Sequence, residues 1–315
     1  MTVAKTEQLG ALRAEAAQSK PRGLWSDAWR RLKRNRAALL GVAYIGLLAF
    51  IAIFADVLAP RDPNDIPFDA LANTPPAWQE GADPRYILGT DSLARDILSR
   101  LIYGARISLV VGFIPVALEL LLGATVGIMA GWLGGRWDNV LMRLVDVVYA
   151  FPSLLFFIVV SSALGSTPFG RLFSGLVLLF VAFAVTGWVT MARLVRGQVL
   201  TLKNKEFIEA ARSVGVPTPR IILRHVVPNS LAPIIVSVTF GIPGYILAEA
   251  ALSYLGLGIH PPAASWGNMV REFSTLISLN AVFVLMPATL IALTMLAFTF
   301  LGDGLRDALD PQMTK

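Results

Sequence analysis

Cysteine is absent from the 315 residues and histidine occurs only twice. Disulfides, thiolate metal sites and cysteine nucleophiles are thereby excluded, and two histidines leave little for a metal centre. Charge is scarce as well: 15% of residues are Asp, Glu, Lys or Arg, where soluble domains run near a quarter. The sequence contains no Gly-x-x-x-x-Gly-Lys-Ser/Thr phosphate loop and no Gly-Lys dipeptide, so it offers no means of binding ATP by that route. No Ser/His/Asp constellation is evident. Apolar residues dominate instead, at 55% with a mean hydropathy of +0.64. They come in long uncharged blocks, the mark of membrane-spanning helices.

A hydrocarbon core of about 30 Å takes roughly 20 helical residues. Six segments qualify: 37–55, 107–133, 147–164, 172–192, 231–257 and 273–302. The first follows a basic stretch of 36 residues and precedes no small-residue cleavage pattern, so a span is expected rather than a signal peptide. Orientation follows from Lys and Arg. Nine basic residues against three acids precede the first span, five arginines against seven acids fill 60–106, and seven basic residues against two acids fill 193–225. Both termini and the 193–225 connection are therefore expected in the cytoplasm, with 134–146 inside and 165–171 outside. The expected organisation is a cytoplasmic segment 1–36, a first transmembrane segment 37–59, an extracytoplasmic loop 60–103, a five-helix domain 104–303 and a cytoplasmic tail 304–315. Pro115, Pro243 and Pro287 lie inside spans and predict kinks, either around a pathway or for packing alone. The basic run 30–36 abuts a span and is expected to anchor it at the lipid surface; no nucleic-acid site is expected.

The connection between the fourth and fifth spans is more than a tether. Phe207, Ala210, Ala211 and Val214 fall at i, i+3, i+4 and i+7, one face of a helix, with Lys205, Glu209 and Arg212 opposite and Lys205 and Glu209 spaced as an i, i+4 pair. Gly215 stands where a left-handed C-cap belongs. Thr218 before Pro219 predicts an N-cap and a second short helix, which Pro228 is expected to end. The small alanines let another surface come close, and Phe207 supplies an anchor beside them. Such a helix suits a socket on a soluble partner or, equally, an anionic lipid surface.

Glu209-Ala210-Ala211, then Gly215, then Pro228 resembles the EAA loop of ABC-type importer permeases, although His225 and Val227 stand where Ile and Leu are usual. The segment 88–109, LGTDSLARDILSRLIYGARISL, resembles the signature before the second span of the dipeptide/oligopeptide permease group, with Ala94 where Gly is usual. Segments 255–267 and 301–311 resemble that group's last external loop and its tail. The match runs from about Trp25 to Pro311. The resemblance implies the C-type permease of a peptide-type importer, an all-α membrane protein with six transmembrane helices in the type I (MetI-like) permease fold. It implies that the 193–230 loop couples to an ATPase through Phe207, Glu209, Ala210, Ala211, Gly215 and Pro228. It also implies the partners: a second homologous permease, two ABC ATPase subunits that use ATP and Mg, and an extracytoplasmic solute-binding protein. No cofactor or metal is expected on this chain, which is expected not to be an enzyme. Relatives in the group carry dipeptides, longer peptides, nickel chelates or other small solutes.

Glu119 and Glu249 lie within spans, where a carboxylate must be paired, protonated or wet. Each suits a place on the translocation pathway or a structural hydrogen bond. The structural reading is preferred for Glu119, while for Glu249 the two stand level and a position at or near the pathway is the hypothesis taken. Asp91, Arg95 and Asp96 precede the second span; a salt-bridged helix cap is preferred there over an external gate or a binding-protein dock. Trp266 follows Pro261-Pro262 and suits an interfacial anchor better than contact with substrate at the outer mouth. A proton-coupled secondary transporter would explain the membrane carboxylates but usually shows inverted repeats. A structural subunit would leave the docking loop unexplained.

Overall fold

The computed structural model describes residues 24–310; expectations that fall on 1–23 and 311–315 lie outside the described residues. Among the described residues the chain is helical, with one isolated β-bridge between Thr90 and Asp96. Helix α1 (Leu24–Leu32) is amphipathic and buries Ala28 and Leu32 against Ala38 and Ala308, near the far end of the chain. Helix α2 (Arg36–Ile53) starts where the Asn35 carboxamide accepts the Ala38 N–H at 3.1 Å. A single turn, α3 (Ala55–Leu58), leads into an irregular stretch. Helix α4 (Ile97–Leu133) follows, then α5 (Gly135–Tyr149), α6 (Ser153–Leu164), α7 (Leu176–Lys203) and the short α8 (Glu206–Ser213). Helix α9 (Thr218–Ile221) runs through a π-turn at Ile222–Val226 into α10 (Val227–Tyr254); α11 (Trp266–Ser274) and α12 (Val282–Leu309) complete the chain.

Five single helices are long and apolar enough to cross a membrane, and the pair α5 and α6, bent by 72°, makes a sixth crossing if it counts as one span. Several of the expected boundaries need correction, among them the end of the fourth span, which runs on from 192 to Lys203, and that of the last, which runs from 302 to Leu309. The second span begins at Ile97, ten residues earlier than the apolar block, because Asp96 caps it by accepting the Ser99 N–H at 2.8 Å. At 37 residues the helix is about 55 Å long, well beyond a bilayer core. The expected loop 134–146 is helix α5. Two of its carboxylates pair with α7: Arg196 grips Asp138 at 2.6 and 2.7 Å, and Arg193 reaches the exposed Asp146 at 2.8 Å. The fifth span extends back to Thr218, since the π-turn carries the helix past Pro228. The last apolar block splits into α11 and α12, which explains why it was longer than a span requires.

Helices α4 and α7 pack backbone to backbone. Gly123, Gly127 and Gly131 recur every fourth residue on α4, and a Cβ on Gly127 would lie 2.6 Å from the Ala192 carbonyl oxygen and 2.8 Å from Val195 Cβ. Apolar side chains gain nothing from leaving lipid for one another, so close approach of this kind, not hydrophobic burial, joins helices in a bilayer. The second core, around Trp266, Phe273 and Phe283, ties α2, α4, α10 and α12 together.

Candidate functional site

Helix α8 hangs from the end of the bundle where α4 and α7 finish, and Lys203 Nζ donates to the Trp132 carbonyl there at 2.5 Å. Two apolar faces result, where one was expected. Ile208 is fully buried beside Val199, Ile221 and Val226, with Ala211 and Val216 packed against the same cluster. Phe207, Ala210 and Val214 are exposed, Val214 at 79%. Ala211 therefore belongs to the inner face and not, as the periodicity grouped it, with Phe207. The Phe207 ring lies 6.2 Å from that of His225, and the Arg212 guanidinium sits 4.8 Å from the centre of the Trp132 ring.

The exit from α8 is a Schellman turn. Gly215 takes φ +78° and donates its N–H to Arg212 at 2.9 Å, while Val216 donates to Ala211 at 3.1 Å. Glu209 is exposed in the first turn, where the helix dipole favours a carboxylate. Three local expectations change. Lys205 is the extended N-cap residue, so its side chain leaves the helical face and forms no ion pair with Glu209 among the described residues. Pro217, not Thr218, is the N-cap of α9. Pro228 lies just past the π-turn, within the helix that runs on from Thr218, and ends no helix.

At the opposite end the segment before α4 folds around Asp91, which is fully buried. Asp91 accepts the backbone N–H groups of Leu93 and Arg95 at 2.8 and 2.9 Å and the Arg95 Nε–H at 2.7 Å. Arg100 donates to Asp91 and, at 2.5 and 3.1 Å, to Glu272 of α11. Arg95 also reaches Glu272, at 3.3 Å. Asp96 caps α4 and takes the Ser99 hydroxyl at 2.6 Å. The structure thus brings Asp91, Arg95 and Asp96 together as a helix cap, and adds Arg100 and Glu272, which sequence spacing did not reveal. Farther out in the loop, hydrogen bonds from Arg85 hold the Asp69 and Asp83 carboxyls below the usual carboxylate range.

Ala94, where glycine is usual, adopts φ +61° and is buried. A left-handed conformation costs an L-residue about 1–2 kcal/mol, part of which glycine returns through its freer unfolded chain. Ala94→Gly is expected to raise the thermal unfolding midpoint by a few degrees; an unchanged or lower midpoint would show that the turn is relaxed with alanine.

A cleft of about 640 Å³ opens between α4, α7, α10 and the α5–α6 bend. Glu119 lines it, half-way along α4, and accepts the Tyr245 hydroxyl at 3.1 Å. Glu249 does not line it. Its Oε1 accepts from Ser253 at 2.6 Å and Ser265 at 2.7 Å in the buried joint between α10 and α11, and Oε2 has no hydrogen-bond partner among the described residues. Trp266 is fully buried in that joint and donates its indole N–H to the Leu101 carbonyl at 3.0 Å. It is neither at the lipid interface nor open to the outer mouth, because the Ser265-capped helix α11 turns it into the core.

The chain is a helical bundle of membrane-crossing length, with a short exposed helix at one end and a cleft lined by a single carboxylate between its long helices. Residues 123–315 match the family described as "binding-protein-dependent transport system inner membrane component", and residues 23–76 match the N-terminal TM domain of oligopeptide transport permease C. The chain belongs to this family of ABC importer permeases, a multi-pass, non-catalytic component of the inner membrane. It is 39% identical over 302 residues to the oligopeptide transport system permease protein OppC of Bacillus subtilis, covering 96% of this chain and 94% of that one. Against the dipeptide transport system permease protein DppC of the same organism the identity is 42%, covering 92% and 86%. The di/tripeptide permease DppC of Pseudomonas aeruginosa is 40% identical over 91% of this chain and 92% of its own. A chain of the MetNI methionine ABC transporter, in an inward-facing conformation, superposes with a TM-score of 0.54 at 18% identity, over 67% of this chain and 96% of that one. The fold is thus the MetI-like type I importer fold.

Proposed function

We propose that the chain forms half of the translocation pathway of an ATP-driven importer of di- or oligopeptides. In this reading a second homologous permease supplies the other half, two ABC ATPase subunits bind ATP and Mg, and an extracytoplasmic solute-binding protein delivers the cargo. The peptide assignment rests on the relatives named for oligopeptide, dipeptide and di/tripeptide transport. The observation that carries the coupling role is the exposed outer face of α8, Phe207, Ala210 and Val214, on a helix whose inner face is locked into the core. A helix anchored on one side and apolar on the other transmits a push. Closure of the ATPases around bound ATP would move α8, and through Ile208 and Val199 the movement would reach α7 and shift the bundle between inward-open and outward-open states. Glu209 adds charge specificity at the rim of that face, and Gly215 and Pro228 set the path of the chain behind it. Within the membrane, the cleft at Glu119 is this chain's share of the pathway.

The test is uptake of labelled peptide into proteoliposomes holding the whole assembly, with ATP, without ATP, and with a proton gradient alone. Uptake is expected only with ATP and the binding protein present. Uptake driven by the proton gradient alone would replace this reading with secondary transport.

A further inference from the structure

The cleft has a composition that selects for charge. Among the described residues that line it, Glu119 is the sole charged one, and Tyr149, Phe151, Phe240 and Tyr245 are the aromatic ones with exposed surface. Behind Tyr245 the buried rings of Phe183 and Phe157 pack inward, Phe183 lying 4.9 Å from Tyr245 and 4.7 Å from Phe157, centre to centre. Gly187 makes room for the Tyr245 hydroxyl, which a Cβ there would strike, and a Cβ at Gly241 would stand 3.9 Å from Glu119 Oε2. Tyr245 donates to Oε2, which fixes the carboxylate rotamer and leaves its second oxygen for another donor.

A lone carboxylate in a cleft whose other lining residues are uncharged and partly aromatic matches a compact ammonium group. The carboxylate supplies the counter-charge and hydrogen-bond acceptor, and exposed aromatic rings in the same cleft can add cation–π attraction. An anion would meet the same carboxylate at close range. We propose that Glu119, with Tyr245 as its positioning residue, forms a site for a primary ammonium group of the passing solute, such as the α-amine of a peptide or a basic side chain. The inference rests on the cleft being the pathway, and it adds the chemical feature of the cargo that the cleft reads.

The absence of cysteine from the chain makes the site directly testable. Gly244 lines the same cleft, and a Cβ there would meet nothing within 4 Å, so Gly244→Cys places one thiol in the cleft that Glu119 lines, in the full chain within its assembly. The rates of modification by trimethylammonium-ethyl and sulfonato-ethyl methanethiosulfonates are compared with those on a free thiol, with the cysteine-free chain in its assembly as background. The cation-to-anion ratio is expected to exceed the free-thiol ratio, to fall about tenfold with Glu119→Gln, as one partly screened unit charge implies, and to be kept by Glu119→Asp. A ratio equal to that of the free thiol, or one that Glu119→Gln leaves unchanged, would overturn the site. A second readout needs no change at Glu119. Millimolar butylammonium is expected to slow modification of the Gly244→Cys chain by neutral methyl methanethiosulfonate at least threefold, while butanol leaves it unaltered; equal effects of the two, or none, would count against the site. Failure of the importer reading looks different: peptide uptake would be missing while this charge pattern stood.

Discussion

Gly215→Pro is expected to reduce ATP-driven uptake to background while the assembled ATPases continue to hydrolyse ATP. Gly215 occupies φ +78°, and proline is fixed near −65°, so the Schellman turn cannot form. The substitution also deletes the N–H that Gly215 donates to Arg212, and it redirects Val216, whose own N–H holds Ala211. The last turn of α8 and the path into α9 are lost together, while Ile208 and the membrane helices are untouched, so insertion should proceed normally. Gly215→Ala asks the same backbone of a residue that pays about 1–2 kcal/mol for it, and a partial loss of coupling is expected. Glu209→Lys, which reverses an exposed charge on the docking face without disturbing the fold, should uncouple as well. Peptide uptake per ATP hydrolysed, measured in proteoliposomes, decides the matter: a wild-type ratio in Gly215→Pro or Glu209→Lys would remove α8 from the coupling path.

Asp91→Ala is expected to cost about 3–5 kcal/mol of stability, because it leaves two buried arginines with one shared carboxylate where they had two. The Arg95 and Arg100 side chains are 6% and 1% exposed, and the carboxylate that remains, Glu272, carries one charge for two guanidiniums and is 26% exposed. Two backbone N–H groups, of Leu93 and Arg95, lose their acceptor at the same time. A fall in the unfolding midpoint on the order of 10 °C should follow, read by thermal denaturation in detergent. Arg100→Met combined with Glu272→Gln removes charge from both sides and should cost much less than Asp91→Ala. If the two variants fell equally, Asp91 would hold the network no more tightly than an ordinary ion pair.

The apolar blocks made the number and rough place of the crossings legible, because block length is a property of a single stretch of chain. The boundaries were less legible, since polar groups within or beside the helices lie outside the apolar blocks: Asp96 caps α4 well before its block begins, and α5 carries Asp138 and Asp146, which pair with Arg196 and Arg193 of α7. Helix α8 was visible in the spacing of Phe207, Ala210 and Val214. Ala211 was misplaced because the pattern does not say that a second face, centred on Ile208, also has a core to meet. Ala94 was marked as unusual by its departure from the family pattern, and the structure supplies the reason in its left-handed backbone. The glycine series at 123, 127 and 131 was present at four-residue spacing and marks a close-packing face on α4, but only the structure shows that α7 fills it. Nothing in the sequence joins Arg100 to Glu272, 172 residues away, or Tyr245 to Glu119, 126 residues apart. Those pairings are products of the fold, and they distinguish Glu119, which lines a cleft, from Glu249, which is sealed between helices.

The central claim is that the outer face of α8 seats in a separate ATPase. The most direct test is a zero-length or short thiol-based cross-link from Ala210→Cys, the single thiol in this chain, to the partner subunits of the purified assembly. The expected result is one adduct with the ATPase, whose yield changes when ATP is bound. Labelling of that thiol from the extracytoplasmic side of intact cells, or the absence of any ATPase adduct, would contradict it.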